Sequence, residues 1–167
     1  NADHSIPLRR APNVRSACMD VYGAGTEPYV ISLRELQGLI GAYEWRKKGI
    51  DIPALGARIH PHYGVFAPIR NEYVGLVAKA SLPGRTMIHS VAFDIGTGSG
   101  VLAAVLAGRG VKRIIATDLD LRALNCAREN LTRLGFAGQV ELAQADLFPA
   151  GRASLIVCNP PWIPARP

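Results

Sequence analysis

Cysteine is scarce in this 167-residue sequence: Cys18, Cys126 and Cys158 are odd in number, far apart and form no Cys-x-x-Cys pair. That speaks against a disulfide framework and against a zinc site. Cys126, in a helical pattern, and Cys158, in an apolar strand, are expected to be small buried hydrophobes. Also lacking is any apolar run near the about 20 residues that cross a bilayer. The chain therefore reads as soluble and cytoplasmic, with no membrane partner. Acid is the scarcer charge, 13 Asp and Glu against 19 Lys and Arg, for a net charge of +6. A basic balance suits an anionic partner such as RNA, DNA or a ribosomal surface. A charge this modest is equally common in basic proteins without one. The densest basic run, Arg46-Lys47-Lys48, closes a predicted helix, where cations complement the helix dipole. His60 and His62 flank Pro61 with no Cys or acid beside them in sequence, so they are assigned a loop or packing role and no metal is expected.

What is present is apolar residue, 49% of the chain, enough for one domain with a core. Residues 1–28 show scattered Pro, Gly and Arg and read as an irregular arm. Ser32 and Glu35 have capping-box spacing, followed by Leu33, Leu36, Ile40 and Tyr43 on one helical face and a stop at Gly49. Residues 51–68 hold several prolines and a short apolar piece, Tyr63 to Phe66. A second helix is predicted near 70–80 with Tyr73, Leu76, Val77 and Ala80 inward. Pro83-Gly84 breaks the pattern, dividing an N-terminal, mostly helical extension (1–85) from a main domain (86–167).

From residue 90 strands and helices alternate. Val91 to Ile95, Arg113 to Thr117, Gln139 to Ala145 and Ala153 to Cys158 read as four strands. Helices are placed from Ser99 to about Gly108, and from an Asp120 cap to Gly135 with Leu124, Ala127, Leu131 and Leu134 inward. This alternation predicts an α/β, Rossmann-like, doubly wound parallel sheet with right-handed crossovers.

The turn Gly96-Thr97-Gly98-Ser99-Gly100 joins the first strand to its helix, a place suited to a nucleotide-like ligand. Position 101 is Val, so the dinucleotide spacing Gly-x-Gly-x-x-Gly is missed. Asp94, just before the turn, would repel a pyrophosphate and attract a cation. S-adenosylmethionine, with an ammonium, a sulfonium and no phosphate, fits this pattern. Asp94 can serve its ammonium side, and the glycines let the backbone approach its methionine part. Asp118, ending the second strand and followed by Leu119, is placed to accept from the ribose hydroxyls. Asp146, after the third strand and followed by Leu147, can accept from the adenine amine. Each aspartate alone is a turn residue; the three strand ends together with the glycine turn point to a ligand site.

These residues, with Asn159-Pro160-Pro161-Trp162 after the fourth strand, resemble the class I S-adenosylmethionine-dependent methyltransferases over residues 90–167. The Asn-Pro-Pro-aromatic motif is similar to that of the branch that methylates planar nitrogen: release-factor glutamine, ribosomal and transfer RNA base, and adenine DNA methyltransferases. Ile163-Pro164 extends the likeness toward the glutamine enzymes, whereas Trp162 stands where Tyr or Phe is usual. Residues 63–72 fall where that branch places a segment over the cofactor, but lack the Pro-Arg-Pro-Glu-Thr pattern of the glutamine enzymes. Phe66 there can pack near the adenine or serve as core, the commoner use of such a residue. The resemblance implies S-adenosylmethionine as cofactor, contacts through Asp94, Gly96, Thr97, Gly98, Gly100, Asp118, Leu119, Asp146, Leu147 and Asn159, and no metal. It also implies a protein or nucleic-acid substrate: release factor, ribosomal protein, rRNA, tRNA or DNA.

The chemistry wants such a motif. An amide or base NH2 is a poor nucleophile because its lone pair is delocalised. The Asn159 side-chain oxygen and the Pro160 carbonyl can each accept one of its hydrogens and aim the nitrogen at the methyl. Pro160 and Pro161 stiffen the loop and donate no competing N–H. Trp162 can stack on the planar group and favour developing positive charge. Class I enzymes resemble a seven-stranded sheet of order 3-2-1-4-5-7-6, of which only strands one to four are present here. The expectation is an N-terminal fragment whose fourth strand is covered by the N-terminal region or by a neighbouring chain, including self-association through that edge. A noncatalytic methyltransferase-like domain binding RNA or protein is the alternative, and an NAD-dependent oxidoreductase is disfavoured by Asp94 and the glycine spacing.

Overall fold

A computed structural model describes residues 1–82 and 91–160. The boundary expected at 85/86, and the ends of the motif, Pro161 and Trp162, lie outside the described residues.

The N-terminal part is more ordered than an arm. α1 (Arg15–Tyr22) packs on α2 (Leu33–Lys48) through Val14, Cys18 and Leu39, all buried. Two turns with no side-chain cap leave little sequence signal; Asn13 Oδ1 accepts from the Arg15 amide at 3.1 Å in place of a cap. Ser32 caps α2 as expected, its side chain accepting from the Glu35 amide at 3.1 Å. The reciprocal half of the capping box is not made, because Glu35 accepts from the Tyr22 hydroxyl at 2.6 Å instead. The buried stripe is also rotated: Leu33 is exposed and Leu39 is the fully buried residue, since α1 lies against that side.

Residues 50–59 form a hairpin absent from the sequence reading, β1 (Ile50–Ile52) paired antiparallel with β2 (Ala57–Ile59). Each strand has three residues, too few for a period, yet Ile50, Ile52 and Ile59 are buried. α3 (Glu72–Lys79) confirms the second helix but buries Val74 and leaves Leu76 and Ala80 exposed, because Val74 and Val77 are the residues that meet the core.

The remainder builds one sheet: β3 (Val91–Ile95), α4 (Val101–Gly108), β4 (Arg113–Asp118), α5 (Leu121–Arg133), β5 (Val140–Gln144) and β6 (Leu155–Cys158). All pairings are parallel, in the order β5-β4-β3-β6. This is the order expected for the first four strands of the fold. Every residue of α4 from Val101 to Ala107 is buried, as an all-apolar helix must be. It lies between the sheet and the layer made by the hairpin and α3. Ala92, Ile114, Ala116 and Val140 face α4 and α5. Phe93, Ile95 and Ile115 form a separate cluster to which no described helix contributes.

β6 is an edge strand, pairing only with β3 among the described residues. Among the described residues the N-terminal region does not cover it, since the hairpin and α3 pack on α4 instead, which leaves a neighbouring chain as the other expected cover. Ile156 is half exposed, and Cys158 is exposed rather than buried, because both point to the face without helices.

Candidate functional site

The C-terminal ends of the four parallel strands open on one cavity of about 770 Å³. The β3–α4 turn supplies its floor. Gly96, Gly98 and Gly100 all have positive φ, at 68°, 55° and 80°, a conformation that side chains with a Cβ resist. Three bonds donated by backbone amides pin the turn: Thr97 to the Thr117 carbonyl at 2.8 Å, Gly98 to the Asp118 side-chain Oδ2 at 2.9 Å, and Gly100 to the Thr97 carbonyl at 2.9 Å.

Asp94 is 1% exposed and lines the cavity. Its Oδ2 accepts from the Thr97 hydroxyl at 2.7 Å and from the Ala103 amide at 3.0 Å. The second bond satisfies an orphan N–H in the first turn of α4, whose N-cap, Gly100, has no side chain to do so. The carboxyl is pushed up to about 6: burial raises it, the bonds from Thr97 and Ala103 lower it, and the charge of Asp118 raises it further. Asp118 holds the Gly98 amide with one oxygen and the Asp120 amide, at 3.0 Å, with the other. Each carboxylate oxygen retains a lone pair for a ligand. Asp120 caps α5, as expected, and also lines the cavity.

The β5 end arrives through a less regular path. β5 stops at Gln144, so Asp146 lies beyond the strand, exposed at the cavity rim. The Thr117 hydroxyl donates to the Leu147 carbonyl at 2.7 Å, and Leu147 itself has φ 67°. Leu119 and Leu147 present exposed apolar side chains at the rim. From β6, Asn159 and Pro160 complete the wall. The pairing sets Cys158 opposite Ile95, which brings Asn159 level with Gly96.

The opposite wall comes from Gly64, Val65, Phe66 and Tyr73. Phe66, for which the sequence leaves a core role and a place beside the cofactor open, is 54% exposed and lines the cavity with its ring centroid 6.4 Å from that of Tyr73. Tyr73, which helical spacing turns inward, also lines the cavity; its hydroxyl is pushed up to about 12 by burial and by the charge of Asp94. No local signal marks Tyr73, whose position depends on how α3 docks. His62, without an acidic neighbour in sequence, meets one in space: its Nε2 lies 2.8 Å from Glu129 Oε2, while His60 Nδ1 donates to the Arg46 carbonyl at 2.6 Å. These contacts tie the N-terminal part to α5. No cluster of metal-ligating side chains occurs among the described residues.

The cavity suits a cationic, nucleoside-like ligand. A Cβ built on Gly96 meets no atom within 4 Å, so the space above that glycine is not needed for packing. Four carboxylates, Asp94, Asp118, Asp120 and Asp146, line a site that a phosphate would find repulsive. Gly100 differs: a Cβ there would come within 3.1 Å of the Cα and Cβ of Ala127 on α5. Gly100→Ala is therefore expected to destabilise the fold by about 2–4 kcal/mol, from strained φ and overpacking together. A urea midpoint unchanged from wild type would contradict this.

Residues 81–160 match the family model described as ribosomal protein L11 methyltransferase (PrmA). The chain is 42% identical over 86 residues to the ribosomal protein L11 methyltransferase of Pelotomaculum thermopropionicum, covering 50% of this chain and 26% of that protein. It is 44% identical over 100 residues to the release factor glutamine methyltransferase of Cereibacter sphaeroides, covering 58% of this chain and 34% of that protein. Among solved structures, the ribosomal protein L11 methylase of Lactobacillus delbrueckii subsp. bulgaricus is 26% identical with a TM-score of 0.47, over 65% of this chain and 56% of that one. The chain thus spans about a quarter to a third of the length of these two curated relatives.

Proposed function

We propose, taking residues 81–160 as a class I S-adenosylmethionine-dependent methyltransferase segment, that the chain binds this cofactor and serves methyl transfer to a planar amide nitrogen of a protein, of the kind a glutamine side chain offers. One observation carries the reading: Asp94, the glycine turn, Asp118 and Asn159, from three different strand ends, line a single cavity. Two relatives' names support a protein substrate, one citing ribosomal protein L11 and the other release factor glutamine. The net charge of +6 fits a target beside RNA.

S-adenosylmethionine, when bound, supplies a methyl group on a cationic sulfonium. The residues of the chain do the rest. Asp94 would face the ammonium side and the glycine turn would take the methionine part. Asp118 would accept from the ribose hydroxyls and Asp146, with Leu119 and Leu147 beside it, would border the adenine. Asn159 and Pro160 would accept the two hydrogens of the acceptor NH2, and Pro161 and Trp162, in this reading, extend that clamp. Rate would come from positioning and electrostatics rather than from a side-chain nucleophile. The proposal keeps the division into a helical extension (1–85) and a cofactor domain (86–167). The β6 edge, unpaired on one side among the described residues, supports strand addition there by further polypeptide, a second copy included.

The test is transfer of tritiated methyl from S-adenosylmethionine into cell extract, followed by protease or nuclease. Label released by protease and resistant to nuclease is expected; loss on nuclease treatment would assign the acceptor to a nucleic-acid base. Calorimetry with no S-adenosylmethionine binding, beside strong RNA binding, would replace the enzyme reading with a noncatalytic RNA-binding one.

A further inference from the structure

We propose that Asn130 is a positioning residue, holding the glycine turn and the facing segment 60–66 in one fixed geometry across the cavity. The proposal deepens the cofactor reading above and rests on it. Asn130, on α5, is fully buried and is not among the residues that line the cavity. Its Nδ2 donates to the Ser99 carbonyl at 3.0 Å and to the His60 carbonyl at 3.2 Å; its Oδ1 accepts from the His60 amide at 2.9 Å and from Arg133. The partners fix the amide orientation, since the nitrogen meets two carbonyls and the oxygen meets two N–H donors. One side chain therefore grips the turn that floors the cavity and, through both polar groups of one peptide residue, the strand exit leading to Gly64, Val65 and Phe66.

Its neighbours on α5 repeat the arrangement. Ala127 receives the close approach of Gly100. The Cys126 thiol donates to the His60 carbonyl at 3.5 Å, and its sulfur lies 3.4 Å from the His62 amide. Both walls thus dock on one strip of α5, and at Asn130 they share one group. A change in spacing on one side must be felt on the other.

The test uses Asn130→Asp in the full chain. Aspartate keeps the acceptor for the His60 amide and sets a carboxylate against the Ser99 and His60 carbonyls. S-adenosylhomocysteine binding by calorimetry should weaken at least tenfold. Amide exchange without ligand should speed up at least tenfold in both 96–100 and 60–66, while β4 keeps its protection. Acceleration in one segment only, or affinity within twofold of wild type, overturns the proposal. Cys126→Ala removes the thiol contacts to the His60 carbonyl and the His62 amide, together with a 3.5 Å contact from Asn130 Nδ2, and is expected to speed exchange chiefly in 60–66 and to weaken binding about threefold. Unchanged exchange in 60–66 in that variant overturns the proposal even if the aspartate variant fails to fold. A wild-type chain that binds no S-adenosylhomocysteine, yet shows the paired acceleration, would sink the cofactor reading and leave the shared anchor standing.

Discussion

Asn159→Ala is expected to reduce methyl transfer by about 10²–10³-fold, the loss that follows removal of one fixed polar group from the reacting centre, roughly 3–4 kcal/mol. Cofactor affinity should change by less than about threefold. The split follows from where the residue sits. Asn159 is held level with Gly96 by the β6–β3 ladder and lines the cavity at the end formed by Pro160. The glycine turn and Asp118 hold the other parts of the floor and are untouched by the change. An alanine removes the acceptor that would orient the NH2 and leaves Pro160 to restrain the loop. Initial rates with labelled S-adenosylmethionine, beside calorimetric affinity, separate the two effects. Parallel losses in rate and affinity would refute the assignment of Asn159 to the acceptor side.

Asp94 should make cofactor binding depend on pH. Its carboxyl is pushed up to about 6, first by burial, against an ordinary value near 3.8. Between those values the folded protein holds a proton that the unfolded chain has released, so stability falls as pH rises through about 4 to 6 and is level above. The window amounts to on the order of 3 kcal/mol. A ligand ammonium beside the carboxylate favours the ionised form. Affinity for S-adenosylmethionine is therefore expected to rise by up to about tenfold from pH 5 to pH 7, with proton release on binding in that range. Asp94→Asn keeps an oxygen for Thr97 and for the Ala103 amide, so the fold should survive. The variant should bind at least tenfold more weakly at pH 7 and lose the pH slope. Calorimetry in two buffers of different ionisation enthalpy measures both quantities; a wild-type affinity constant from pH 5 to 8 would contradict the role given to Asp94.

The sheet was readable because its signals are redundant. β3, β4 and β6 are largely apolar runs closed by Gly, Asp and Asn, and each long helix carries either a cap or a full apolar face, so several cues agree for one element; β5, with Glu141 and Gln144 in it, is the weakest of the four. The turn from Gly96 to Gly100 was readable for a second reason: φ of 55° to 80° at alternate positions leaves glycine as the easy choice. Failures fall where length is short or the partner is distant. The β1–β2 hairpin has three residues per strand, and α1 lacks a side-chain cap. Leu39 and Val74 are buried while Leu33 and Leu76 are not, because the neighbours α1 and α4, rather than the helix's own period, choose the buried stripe. The cavity's second wall was hidden in the same way. Phe66 and Tyr73 are both apolar enough for core in sequence, and their place on the cavity depends on how α3 docks on α4.

The approach of Gly100 to Ala127 has an evolutionary consequence. A Cβ at one position would occupy space held by the Cα and Cβ of the other, so the two sites behave as a single volume divided between two codons. Relatives that carry a larger residue at either place must have drawn the two helices apart, and with them the floor of the cavity. In an alignment of such proteins, smallness at these two columns should be inherited together.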